Sequence, residues 1–172
     1  KKVGFILDRG YFSKDNIRYM EEGGYAFVIM VKGRKALVSS LVEENRGTFE
    51  TERDHSIRAY HVYGKTVKAR LYEDDTQDRY FHIYFSPSKH AAERERLELT
   101  LDRFKIYMDK HIGDVVTSSK ACQEYFTLKY DKAGHLVGYS ERKDVIKREL
   151  DLCGYFCIVT SEEMTASQAL IH

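Results

Sequence analysis

The chain has 172 residues, 42% of them hydrophobic and 13% aromatic, enough to bury a sizeable core in one domain or one domain with an insertion. Its formal net charge of +1 supplies no global attraction to nucleic acid or to an anionic membrane, so any such contact needs a local basic patch. No apolar run approaches the roughly 20 residues that span a bilayer, and the start lacks a signal-peptide core, so no membrane contact and an intracellular location are expected.

Val3 to Leu7 reads as a buried strand that ends on the carboxylate of Asp8 and is followed by Arg9 and a turn at Gly10. In open α/β sheets that edge is where ligands and metal ions collect, although the same pattern also makes an ordinary strand-to-helix turn. Ser13 can cap a helix reaching Glu22, with Ile17 and Met20 inward, and Gly23-Gly24 stops it. Tyr25 to Val31 then reads as a second continuous apolar strand, completing a strand-helix-strand unit.

From Gly33 the pattern changes. Ala36, Leu37, Leu41 and Val42 fit a short amphipathic helix, and the stretch from Glu43 to His55 is polar. Strand signals resume at Tyr60 to Tyr63, Thr66 to Tyr72 and Tyr80 to Phe85, broken by Gly64 and by the charged run Glu73 to Arg79. These predict an antiparallel meander closed by Pro87, with His82 at an outward position. Lys89 to Ile112 carries Leu97, Leu101, Phe104 and Met108 on one stripe, which predicts a surface helix packed on the meander rather than a coiled coil.

Tyr125 to Tyr130 and Leu136 to Tyr139, joined through Asp131 to Gly134, predict a hairpin. A charged helical run, Glu141 to Leu152, then leads through Gly154 into the apolar strand Tyr155 to Thr160. Thr165 and Gln168 form a capping box whose helix meets the end of the sequence after about one turn, and the start carries no methionine, so an excised fragment is expected. Cys122, Cys153 and Cys157 form no CxxC pair and are expected as core-filling thiols. The seven histidines, His55, His61, His82, His90, His111, His135 and His172, contain no HxxxH pair of the kind zinc enzymes use.

The segments Asp8-Arg9-Gly10-Tyr11-Phe12-Ser13, Phe27 to Lys32 and Asp151 to Thr160 together resemble the middle of a bacterial insertion-sequence transposase of the DDE superfamily, in the branch with a β-rich insertion. The resemblance implies an α/β fold in which an incomplete RNase H-like core, with strands at both ends of the chain, is interrupted by a mainly antiparallel β-rich insertion with helices. The corresponding parts are 1–32 for the first piece of the core, 33–140 for the insertion and 141–172 for the truncated remainder.

It also implies metal-dependent cleavage of DNA and strand transfer during transposition, with Asp8 as the second of three catalytic carboxylates that hold Mg²⁺ or Mn²⁺. The other two would lie before Lys1 and beyond His172, so the fragment alone is expected to be inactive and to bind no metal. Arg9 and Lys14 are the candidates for substrate phosphate. The implied partners are transposon ends, target DNA and a second copy in a synaptic homodimer, in the bacterial cytoplasm at the nucleoid.

Glu162 and Glu163 are expected as loop or first-turn charges, and Glu149 and Asp151 as solvated. Basic and aromatic residues interleave from Arg58 to Tyr80, which suits phosphates and unpaired bases but equally suits a two-faced sheet with tyrosines inward. The alternatives are a metal-dependent nuclease of the same fold and a non-catalytic module that binds DNA or protein.

Overall fold

The computed structural model describes residues 3–31 and 35–171, with only the backbone of Lys35. Lys32 at the end of the resembling segment, the change of pattern at Gly33, the boundary at 32/33 and His172 lie outside the described residues. In chain order the elements are β1 (Gly4–Leu7), α1 (Lys14–Glu22), β2 (Ala26–Met30), α2 (Lys35–Asn45), β3 (Ser56–Ile57), β4 (Val62–Ala69), β5 (Arg79–Phe85) and α3 (Pro87–Lys110). Then come α4 (Lys120–Tyr125), β6 (Phe126–Tyr130), β7 (Leu136–Glu141), α5 (Lys143–Leu152), β8 (Tyr155–Thr160) and α6 (Ala166–Ile171). Among the described residues no helix is long and apolar enough to cross a membrane.

The chain forms two compact units, Lys1–Pro87 with Gly154–His172, and Ser88–Cys153. The first is an α/β unit built on a six-stranded mixed sheet of order β1-β2-β8-β5-β4-β3. β1 and β2 run parallel, as a strand-helix-strand crossover through α1 requires, and every other neighbouring pair is antiparallel. Ser13 starts α1 by accepting the amide hydrogen of Asn16 on Oγ at 3.2 Å, and Gly24, at φ +67°, lets the chain leave it toward β2.

The three strands expected from the two ends of the sequence do share this sheet, but the meander does not pack outside it. β5 pairs with β8 along its length, from Tyr80 opposite Thr160 to Phe85 opposite Tyr155. The physical reason is in β5 itself: Phe81, His82, Ile83 and Tyr84 are all at 0% exposure, so this strand is buried on both faces and belongs at the sheet's centre. His82 is therefore an inward residue, not an outward one.

By the two-residue period one face of the sheet carries Val28, Ile158, Phe156 and Tyr84, which pack with Ala166 and Ala169 of α6. The opposite face carries Phe27, Ile29, Phe81, Ile83, Cys157 and Val159, all no more than 1% exposed. Arg79 shares that second face and is ion-paired with Glu21 of α1, which puts α1 over it. Thr165 and Gln168 form the expected capping box at the start of α6, each side-chain oxygen taking the other's amide hydrogen, at 3.1 and 2.9 Å.

Gly64, read as a break between strands, lies inside β4. A Cβ there would stand 2.9 Å from Ala166 Cβ and 3.0 Å from both Ile57 and Tyr84, so glycine is what lets α6 approach the sheet.

In the second unit β6 and β7 form the expected hairpin, with Gly134 at φ +86° in the turn and the Asp131 carboxylate accepting the amides of Ala133 and His135. The stripe of α3 packs on this hairpin and on α4 and α5: Leu101 and Met108 join Cys122, Phe126, Leu136 and Ile146 in one cluster flanked by Leu97 and Phe104. The meander expected beneath that stripe lies instead in the first unit's sheet, where its strands already have neighbours. All three cysteines are buried free thiols, as the sequence implied.

Candidate functional site

Asp8 follows the last residue of β1 and caps a short 3-10 turn, Arg9–Tyr11, its Oδ1 accepting the Arg9 amide hydrogen at 2.7 Å. Both Asp8 and Arg9 are exposed. Leu7 pairs with Ile29, so Asp8 sits at the end of the sheet where β2 finishes. β8 starts near that end and runs the other way, its Cys157 carbonyl accepting the Val31 amide at 3.0 Å and its Thr160 lying opposite Val28. Glu162 and Glu163 therefore lie toward the opposite end of the sheet, roughly 10 Å or more from the level of Asp8 at about 3.3 Å per strand residue.

Lys14, in the first turn of α1, is held by an acid 60 residues away: its Nζ donates to Asp74 Oδ1 at 2.8 Å and Oδ2 at 2.9 Å. One helical turn on, Arg18 donates to the same carboxylate at 2.8 Å. The Lys14 ammonium also lies 4.9 Å from the centre of the Tyr72 ring. The bond from Lys14 holds the Asp74 carboxyl below the usual carboxylate range, and the charge of Arg18 adds to it.

The loop that presents Asp74 is anchored on both sides. Leu71 is 1% exposed in the core, and the next acid, Asp75, is 3.5 Å from Arg79, whose side chain is 4% exposed and also paired with Glu21 and with Gln77. Arg79 is thus a buried strut of this loop rather than one of the solvent-facing bases of the interleaved pattern, and burial pulls its guanidinium below its ordinary value.

Two other basic residues of that pattern are engaged nearby: Lys65 donates to Thr48 Oγ1 at 3.1 Å, and Lys68 lies 5.3 Å from the Tyr80 ring centre. They border an open groove of about 670 Å³ between β4 and the start of α6, which His55, Glu163 and Gln168 also line and which Asp8, Arg9 and Lys14 do not. In the wall of this groove Thr66 meets the buried His82 at 2.8 Å through Nδ1. On the other ring nitrogen His82 meets Thr160 Oγ1 at 2.9 Å, and that hydroxyl donates to the Glu162 carbonyl at 2.8 Å. Because the Thr160 proton is committed there, the proton of His82 sits on Nε2 and Thr66 donates to Nδ1. Burial pulls the imidazole down to about 4, so it is neutral at pH 7.

Of the residues picked from sequence, Asp8 and Arg9 lie together at the strand end, and Lys14 heads the adjoining helix with its charge taken up by Asp74. Glu149 and Asp151 are not simply solvated: Tyr125 donates to Glu149 at 2.6 Å, and Lys147 pairs with Asp151 at 2.9 Å. Sequence reasoning missed Arg18 and Asp74. Arg18 at i+4 from Lys14 was readable as a second cation on one helix face, but nothing local announced Asp74 as its partner. Among the described residues no group of three or more His, Cys, Asp or Glu side chains could hold a metal ion. Compared with known protein families, curated proteins and solved structures, the chain matches none.

Proposed function

We propose that this chain carries the core of a DDE transposase, with Asp8 as one of its metal-binding catalytic carboxylates and DNA as its substrate. The observation that carries the reading is the placement of Asp8: an exposed acid at the C-terminal end of a strand in a parallel β-α-β pair of a mixed α/β sheet. Arg9 beside it, and Lys14 on the next helix once a phosphate displaces Asp74 from it, supply the positive charge a phosphodiester needs.

The described residues do not by themselves fit a divalent metal centre. A hard cation takes about six oxygen ligands, and Asp8 brings one carboxylate. The proposal therefore draws its other two carboxylates from sequence outside residues 1–172. What the chain's own residues contribute is positional: the 3-10 turn fixes the Asp8 carboxylate through Arg9, and β2 holds β1 in register.

The test is the full-length protein with Asp8→Asn, assayed for cleavage and joining of the DNA ends that flank its coding sequence in Mg²⁺ and in Mn²⁺. Both activities are expected to vanish while end binding in a gel-shift assay persists. Wild-type cleavage by the variant would remove Asp8 from the site. The coding sequence on either side decides the other half of the proposal: absence of the two further carboxylates would favour a non-catalytic binding module.

A further inference from the structure

We propose that Asp74 is a built-in phosphate mimic: Lys14 and Arg18 form a binding face for the phosphodiester backbone of DNA, and Asp74 occupies that face in the free protein. The inference rests on the reading of DNA as substrate and deepens it by naming the contact surface and its regulation. Lys14 and Arg18 sit at i and i+4 on α1, one turn apart, and both direct their donors at one carboxylate. Two cations converging on paired oxygens is the arrangement that recognises a phosphate.

The acid is put there by structure outside the pair. Leu71 in the core and the contact of Asp75 with buried Arg79 fix the loop on either side, and the turn closes with the Asp75 amide donating to the Tyr72 carbonyl at 3.1 Å. The carboxylate itself remains largely open to water, with 57% of its side chain exposed beside Lys14 at 38% and Arg18 at 53%. An exposed ion pair of this kind is weak and screened by salt, so a polyanion offering many phosphates can displace it. Tyr72, already against Lys14, is placed to meet the sugar or base next to a bound phosphate.

Fluorescence anisotropy of the chain with a short labelled DNA duplex, without metal, tests this. Asp74→Asn keeps the side chain's shape and removes its charge. It is expected to tighten binding roughly three- to tenfold at low salt and to steepen the dependence of log affinity on log salt by about one phosphate's worth. The Lys14→Ala, Arg18→Ala double variant is expected to bind more weakly and to lose the gain from Asp74→Asn. Lys14→Gln supplies the same cycle with a smaller perturbation, and thermal unfolding checks that each variant is folded.

Unchanged or weaker binding by Asp74→Asn overturns the proposal. So does a gain that survives in the Lys14, Arg18 background, because it would then report only the loss of a negative charge. The outcome separates from the catalytic reading, which is carried by Asp8 and read by cleavage. Tighter binding in Asp74→Asn alongside wild-type cleavage in Asp8→Asn would keep the phosphate face and remove Asp8 from the catalytic site.

Discussion

At the centre of the first unit's sheet, Phe81, His82, Ile83 and Tyr84 of β5 show no exposure at all, while on β1 at the sheet's edge Ile6 is 62% exposed and neighbouring Val3 55%. The centre has strands on both sides and cover on both faces. Among the described residues the edge strand β1 has β2 on one side only, and Ile6 is open to solvent. Burial is concentrated where the sequence is most apolar, and the residues proposed for the site, Asp8, Arg9 and Lys14, stand away from that buried centre. A carboxylate at such an edge can be desolvated by a ligand or a metal without disturbing the core.

Tyr84 and Ile6 measure that contrast most directly. Tyr84 stacks on Phe156 at 4.9 Å between ring centres and donates its buried hydroxyl to the Ala166 carbonyl at 2.7 Å. Tyr84→Ala removes the ring, leaves a cavity under α6 and orphans that carbonyl, and should cost about 3–5 kcal/mol in urea unfolding. Ile6→Ala on the exposed edge should stay within about 0.5 kcal/mol. Equal costs would mean that the edge is covered in solution.

His82 provides the next largest effect, and its sign follows from its burial. The imidazole is held down to about 4 against an ordinary 6.5, so between those values the unfolded chain takes up a proton that the folded chain does not. Stability from this group is complete above pH 6.5 and is lost as the pH falls toward 4, at up to about 1.4 kcal/mol per pH unit. Urea unfolding between pH 7 and 4 should show that slope in the wild type and a flatter curve in His82→Gln. An unchanged slope would mean that the imidazole is reached by water and that the Thr66 and Thr160 hydroxyls do not enclose it.

Much of this architecture was legible in the chain, and what was not shares one cause. Ser13, Gly23-Gly24, the turn from Asp131 to Gly134 and the Thr165–Gln168 box act within a few residues of themselves, and each was readable from its own neighbourhood. Gly64 misled because a glycine in a strand is equally a break or a place where something comes close, and what comes close is Ala166, a hundred residues on. His82 misled because alternation on β5 shows two faces without telling whether the second is covered. Asp74 was one acid in a charged run, and only the folded chain brings it to Lys14 and Arg18. At the candidate site the strand-end position of Asp8 was readable, since it depends on the chain within a few residues. The charge balance around it was not.

Asp8 itself should give the smallest stability change, and that makes it informative. Its carboxylate is exposed, and its one hydrogen bond among the described residues is to the Arg9 amide, a capping bond that an asparagine oxygen can replace. Among the described residues it faces no buried partner whose loss would leave a charge unpaired. Asp8→Asn is therefore expected to shift the unfolding free energy by less than about 0.5 kcal/mol, measured as an unchanged urea midpoint and slope. A loss of several kcal/mol would mean that Asp8 is a structural residue, and any loss of cleavage in the full-length variant would then report misfolding. If stability holds while cleavage disappears, the carboxylate is kept at the sheet's edge for chemistry, because the fold has no other use for its charge.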